Sequence, residues 1–346
     1  MFPLPTDVGA VRELTSYLGH VFVVAENALL VFDVNNFYDL LNRVTLPRER
    51  LQGVSVSTAS DGGAEVLITS NRGVYSLDLL DLTQKQMPKP QYNAADTNAV
   101  YHHAAACAGD IYWLEYNATS GNSELHSLKR SKVATYPGHV HPLLNLGKQH
   151  LLVVAADRLY LIDCAGGLVT SETLSHDRHS ETVNMSCQPA ADEARGTAYL
   201  VGSRSLWKVA ASGGKLITQP LQLRSTGDER LAAARDNIFV ARSDGFYILD
   251  LLGAIRWKAD SIFIPEDTSD GFYPQVDGDY CLFSGLKGGG SVIRIYNVVN
   301  PGKNTRGIPV ESAMACSPVL NVGHLIIAVD KGEGGKRELR VYRLKT

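Results

Sequence analysis

The residues best suited to chemistry are histidines, and they come in three groups: His102-His103, His139-Val140-His141 and His176-Asp177-Arg178-His179. Imidazole and carboxylate side chains ligate zinc and other transition metals, and a His/Asp pair can move protons near neutral pH. If their loops converge, His103, His139, His141, His176, Asp177 and His179 form a ligand or acid–base site. Acidic residues hold the matching places further along: Asp228 and Glu229, Asp267 and Asp270, and Glu311. A second group is cationic: Lys287, Lys331, Lys336 and Arg337, in the Gly-rich stretches 286–290 and 330–338. Long loops on a rigid scaffold are where binding usually sits, so these four residues are candidate partner contacts.

Other signatures are missing from the chain. It has no GxSxG, no HExxH, no kinase set and no GxGxxG opening a helix. GEGGKR (332–337) superficially resembles a phosphate loop but lacks a Ser or Thr after Lys336. No catalytic residue, metal or cofactor is therefore assigned.

The elements that must position these residues follow from an internal repeat. A five-residue pattern recurs: two apolar or aromatic residues, a variable one, an apolar one, then usually Asp. Clear copies are LLVFD ending at Asp33, VYSLD at Asp78, LYLID at Asp163 and FYILD at Asp250. Weaker copies are LHSLK at Lys129, LWKVA at Ala210, IRIYN at Asn297 and LRVYR at Arg343. The mean spacing is about 44 residues, a period that signals a repeat architecture. An apolar run such as VFVVA (21–25), EVLITS (65–70) or NIFVAR (237–242) precedes each copy across a tight turn, which is a β-hairpin signature. Further runs lie upstream, as in RLAAA (230–234), and downstream, as in GAIRWKA (253–259). Four strands per repeat without a helical period is the layout of a propeller blade. Packing between neighbours buries both faces of such a blade, so its inner strands read as near-continuous apolar runs. The Asp after the third strand suits a turn, because its carboxylate accepts backbone N–H groups.

Eight copies predict an all-β, single-domain propeller over 1–346 with eight four-stranded blades; seven is the alternative if LHSLK is not a true copy. The last copy leaves no room for a final outer strand. The segment Phe2–Thr6 is expected to fill that place and close the ring. Pro3 and Pro5 are tolerable there, since an outermost strand has one unpaired side.

FYILDLLGAIRWKA (246–259) resembles the repeat of the quinoprotein-alcohol-dehydrogenase-like (PQQ-like) propellers, in which a YALD…G…W pattern recurs. LYLIDCAGGLVT and LWKVAASGGKLIT are looser copies. The resemblance covers most of the chain as a rhythm and implies an eight-bladed ring. It does not extend to the enzyme. Quinone-dependent members would need an adjacent-cysteine pair and a tryptophan platform; this chain has no Cys-Cys and only Trp113, Trp207 and Trp257. A rigid ring with a loop-decorated face and no catalytic motif is expected, by analogy of fold, to be a non-catalytic platform for protein partners, with AAA+ ATPase or von Willebrand A-type proteins as the candidates. The alternative is an enzyme or small-ligand binder at the mouth of the channel, using the loop histidines.

Composition sets the outer limits. The chain is 45% hydrophobic and 20% charged, which excludes a disordered or collagen-like polymer. A net charge of −3 argues against nucleic acid, whose phosphates need a cationic face. No run approaches the roughly 18 apolar residues of a membrane helix. The N-terminus lacks a basic region followed by a continuous apolar one, which predicts no signal peptide. Cys107, Cys164, Cys187, Cys281 and Cys316 are odd in number and scattered. They are expected to be buried thiols in a reducing, cytoplasmic setting. The polar tract 81–98 is a candidate tether.

Overall fold

Strand-forming sequence accounts for nearly all regular structure described in the computed structural model; short 3-10 turns, among them Thr6–Val8 and Glu193–Arg195, interrupt it. The structure describes every residue except 59–63, 82–87, 94–99, 102, 166, 177–178, 261–272, 288–289, 303–305, 311–312, 331–335 and 345–346.

Eight blade sheets follow one another along the chain, with a separate two-stranded hairpin between the fourth and fifth, and the fold is an eight-bladed β-propeller. Blade 1 runs Val11–Tyr17, His20–Ala25, Leu29–Asp33, Asn36–Val44, and blade 2 runs Leu51–Thr58, Ala64–Ser70, Gly73–Asp78, Lys89–Asn93. Blade 3 has a divided first strand (Val100–Tyr101 and Ala105–Cys107), then Asp110–Asn117, Asn122–Ser127 and Ser131–Pro137. Blade 4 is Leu144–Leu146, His150–Val154, Leu159–Asp163, Gly167–Glu172, and blade 5 is Ala190–Asp192, Thr197–Val201, Ser205–Ser212, Lys215–Arg224. Blade 6 is Arg230–Ala234, Asn237–Arg242, Gly245–Asp250, Ile255–Asp260, and blade 7 is Gln275–Asp277, Tyr280–Lys287, Gly290–Asn297, Arg306–Val310. Blade 8 begins with Ala313–Met314 and Val319–Asn321, continues through His324–Asp330 and Arg337–Arg343, and is completed by Phe2–Pro3.

Every copy of the five-residue pattern begins on a third strand, including the LHSLK copy that left seven blades open, whose last two residues enter the turn. The residue ending the pattern does the turn work its chemistry predicts. The Oδ1 atoms of Asp33, Asp78 and Asp163 accept the N–H groups of Asn35, Leu80 and Ala165, each at 2.8 Å. Asn297 accepts from Val299 in the same way.

Two compact units make up the chain: Met1–Leu51 with Ala234–Leu251 and Ile255–Thr346, and Gln52–Ala233 with Leu252–Ala254. In the first, Val21, Val23, Leu30, Val319, Ile326 and Leu339 pack blade 1 against blade 8. The N-terminal segment is held there by strand pairing, Phe2 opposite Leu339 and Pro3 opposite Glu338. In the second, Tyr112, Leu125, Tyr136, Leu151, Val153 and Ile162 pack blade 3 against blade 4. Leu152, Leu161, Leu200, Trp207 and Val209 pack blade 4 against blade 5. Burial on both faces explains why the second strands read as unbroken apolar runs rather than alternating ones.

The cysteine expectation is corrected here. Cys107 and Cys164 form a disulfide. Cys187, Cys281 and Cys316 are free and buried. The paired residues end the first strand of blade 3 and follow the third strand of blade 4, so packing of consecutive blades brings them together.

Candidate functional site

The histidines rest on separate supports in the second unit. The His103 ring lies over Gly53 on the first strand of blade 2, where an added Cβ would stand 2.7 Å from its Cδ2 and Nε2. His139 is exposed and stacks on Tyr116, with ring centroids 3.6 Å apart. His141 is 5% exposed, and its Nε2 has no hydrogen-bond partner among the described residues. Burial pushes its pKa down to about 4, against a hydrogen bond with the Asn184 backbone that acts to raise it. His176 and His179 face each other across a two-stranded hairpin, Leu174–His176 with His179–Glu181. The side chain of His176 lies outside the described residues, as do His102 and Asp177. Among the described residues no group of three or more His, Cys, Asp or Glu is arranged to hold a metal ion.

Of the cationic candidates, Lys331 and the side chain of Lys287 lie outside the described residues, and Lys336 is exposed. Arg337 is engaged within the fold: it pairs with Asp330 at 3.3 Å and donates to the Gly9 carbonyl at 2.7 Å. Among the acidic candidates, Asp267, Asp270 and Glu311 lie outside the described residues. Glu229 is fully buried and accepts from the Thr226 and Gly227 N–H groups and the Ser225 hydroxyl, so it shapes its own turn. Most of the 81–98 tract is outside the described residues as well.

A groove that sequence reasoning missed lies beside the inserted hairpin. It is about 640 Å³ and is lined by His179, Glu181, Ser203, Arg204, Gln222 and Arg224, among others. Its architecture starts with Glu181. This carboxylate is buried, and it accepts four hydrogen bonds: from the Arg204 and Ser205 N–H groups, the Ser205 hydroxyl and the Trp207 indole N–H. Burial acts to raise its pKa, but these bonds outweigh it and hold the group below the usual carboxylate range. Gly202 makes the approach possible, since a Cβ there would meet Glu181 Oε2 at 2.7 Å and Trp207 Nε1 at 2.8 Å. The hairpin is thereby fastened to blade 5. What the groove turns to solvent is cationic and polar: Arg204, Arg224, Gln222, Ser203 and His179 are all exposed. The sequence signal was the length of chain between Glu172 and Ala190, which exceeds that from Val44 to Leu51 or from Arg224 to Arg230.

A second cavity of about 790 Å³ is lined by Glu65, Cys107, Asp110, Lys148 and Glu193, among others. Asp110 is committed to structure there, accepting from the Ser127 hydroxyl and the Ile111 and Lys129 N–H groups. A third cluster, on blade 3, places His126 Nε2 3.6 Å from Glu115 and 3.5 Å from Glu124, with the imidazole stacked on Trp113. Burial lowers the pKa of His126, against the Glu124 carboxylate, which acts to raise it.

No family model and no curated relative matches the chain. Solved structures do match. The computationally designed Ika8 protein superimposes with a TM-score of 0.64 at 10% identity, over 99% of this chain and 98% of that one. AztD from Citrobacter koseri gives 0.62 at 10% identity, over 97% and 90%. The β-propeller domain of Cps50 (Swd1) from Myceliophteria thermophila gives 0.52 at 11% identity, over 97% of each chain. At these identities the likeness is one of fold, and it places this chain among the β-propellers.

Proposed function

We propose that the protein is a non-catalytic interaction platform, and that its partner docks on the blade 5 groove. The observation that carries this reading is the inserted hairpin. In a repeat scaffold every unit repeats the same structural task, so a departure from the repeat that builds a recess marks the binding face. The hairpin Leu174–Glu181 is such a departure, and a four-bond carboxylate anchor holds it in place. The alternative, a ligand site of loop histidines, needs imidazoles that converge. It is disfavoured by the packing of His103 over Gly53, the stacking of His139 on Tyr116 and the burial of His141.

The PQQ-like reading of the repeat belongs to this proposal, as does a partner of the AAA+ or von Willebrand A type. No described helix is long and apolar enough to cross a membrane. For the compartment, the Cys107–Cys164 disulfide supports an oxidising setting rather than the cytoplasm.

Site-specific photo-crosslinking in the native cell tests the reading. A photoreactive residue at Gln222 is expected to capture one discrete partner, while the same residue at exposed Leu128 or Leu18 captures none. Equal yields from all three positions would overturn it.

A further inference from the structure

The disulfide between blades 3 and 4 forms part of a cavity wall, and the polar groups on the rest of that wall fit one class of reagent. We propose that the cavity of about 790 Å³ binds a low-molecular-weight amino-acid thiol, and that this thiol exchanges with the disulfide at Cys107.

The two sulfurs are not equivalent. Of the pair, only Cys107 belongs to the cavity wall, so a thiol that enters meets Cys107. The exchange balances in one step. The thiolate sulfur attacks Cys107 Sγ and forms a mixed disulfide there. The Cys107–Cys164 bond breaks, its electron pair leaves on Cys164 Sγ, and that thiolate takes up a proton. One disulfide replaces another, and no further oxidant or reductant is consumed. The reverse attack by Cys164 expels the small thiol and restores the starting pair.

The leaving side suits this chemistry. The Arg130 guanidinium donates to the Cys164 and Ala165 carbonyls, so a fixed cation stands beside the residue that takes on the negative charge. A nearby cation favours thiolate over thiol, and a thiol of lower pKa leaves faster. On the attacked side, the Lys148 carbonyl oxygen lies 3.7 Å from Cys107 Sγ, which brings Lys148 to the edge of the reaction.

The wall around Cys107 selects the thiol. Lys148 is exposed and lines the cavity, and its ammonium is the group for a carboxylate. Glu65 and Glu193 line the same cavity and supply negative charge for an ammonium. Asn145, also on the wall, donates through Nδ2 to Glu193 Oε1 at 3.3 Å, while its buried Oδ1 has no hydrogen-bond partner among the described residues. A buried acceptor left open costs stability, and a ligand N–H satisfies it. Asp110 takes no part, because its carboxylate is held by the Ser127 hydroxyl and the Ile111 and Lys129 N–H groups. Sulfur, cation and acceptors on one wall match a small molecule that carries thiol, carboxylate and ammonium together. All of these residues belong to the second compact unit.

The test incubates the folded protein with cysteine or with 2-mercaptoethanol, quenches with acid, alkylates in urea and maps the peptides by mass. Each rate is divided by that thiol's rate with a small uncharged disulfide in free solution. With cysteine, Cys107 is expected as the mixed disulfide and Cys164 as the alkylated thiol. The corrected rate for cysteine should exceed that for 2-mercaptoethanol by about fivefold. Lys148→Glu should remove that advantage and leave the 2-mercaptoethanol rate unchanged. Lys215→Glu, the same charge change at an exposed position outside the cavity, should leave both rates unchanged. Thermal melts check that both variants fold. Equal corrected rates in the wild-type chain, an adduct on Cys164 in place of Cys107, or a disulfide that exchanges only after unfolding would overturn the proposal and leave the oxidising compartment in place. Five alkylated cysteines before any thiol is added would overturn both.

Discussion

Cys107 and Cys164 are joined across the seam between blades 3 and 4, with Cα atoms 5.9 Å apart and a sequence separation of 57. The seam is reinforced locally: the Tyr112 hydroxyl donates to the Cys164 carbonyl at 2.7 Å, and Arg130 donates to the Ala165 carbonyl. Closing a loop of that length restricts the unfolded chain, and the Cys107→Ser/Cys164→Ser variant is expected to lose about 2–4 kcal/mol. Urea denaturation of the two proteins measures the loss. Thiol alkylation under denaturing conditions should modify three cysteines before reduction and five after it. Denaturant is needed because burial raises Cys187 to about 11, and Cys281 and Cys316 to about 12. Five reactive thiols without reduction would return the chain to a reducing compartment.

Glu181 is the anchor of the inserted hairpin, and its replacement should show. Glu181→Gln keeps the shape but turns an amide N–H₂ toward groups that are themselves donors. The expected cost is about 1–3 kcal/mol. Gly202→Ala should cost a similar amount, because its Cβ would occupy the space of the Glu181–Trp207 contact. The folded-state pKa of Glu181 is depressed. Its contribution is therefore present above the unfolded carboxylate pKa and is lost as pH falls through the folded value. An acid titration of stability should lose this component in Glu181→Gln.

His141 works with the opposite charge. Its imidazole is buried neutral, and its pKa falls from 6.5 to about 4. The unfolded chain therefore binds the proton first as pH drops. Stability is highest above about 6.5 and declines between there and about 4, by on the order of 3 kcal/mol for this group. Denaturant midpoints at pH 7.5 and 5.0 measure that decline. In His141→Leu the difference between the two midpoints should shrink; an unchanged difference would show that other groups carry it.

Arg337 ties the end of the chain to its beginning. It bonds the Gly9 carbonyl through its side chain, and its own carbonyl accepts the Leu4 N–H at 2.9 Å. Arg337→Met should cost about 1–2 kcal/mol and raise amide hydrogen exchange at Leu4 and along Arg337–Arg343. Exchange confined to its wild-type rate would mean that strand pairing alone holds the segment.

The repeat was legible because it is local. A five-residue pattern, a preceding apolar run and a turn-forming Asp sit close together in sequence, so the third strands and their turns at Asp33, Asp78 and Asp163 could be read directly. The closing role of the N-terminus was also legible, as blade 8 lacked an outer strand and Phe2–Thr6 was the apolar segment left over. The site was not legible in the same way. His103, His139 and His141 look alike as loop histidines, yet one lies over a glycine, one stacks in solvent and one is buried. Arg337 reads as a surface cation until the position of Gly9 is known.

The sequence alone thus determined an all-β chain of repeated blades, because strand period, turn chemistry and repeat length are properties of neighbouring residues; the choice of eight over seven waited on the placing of Leu125–Ser127 on a third strand. Tertiary structure alone decided that Cys107 meets Cys164, that Glu181 finds the donors of Arg204, Ser205 and Trp207, and that Arg204 and Arg224 share one groove. Each of those meetings joins residues from different strands or the turns beside them, and in the disulfide from different blades. Cross-strand register and blade packing set them, and a one-residue slip would turn each side chain to the opposite face of its sheet.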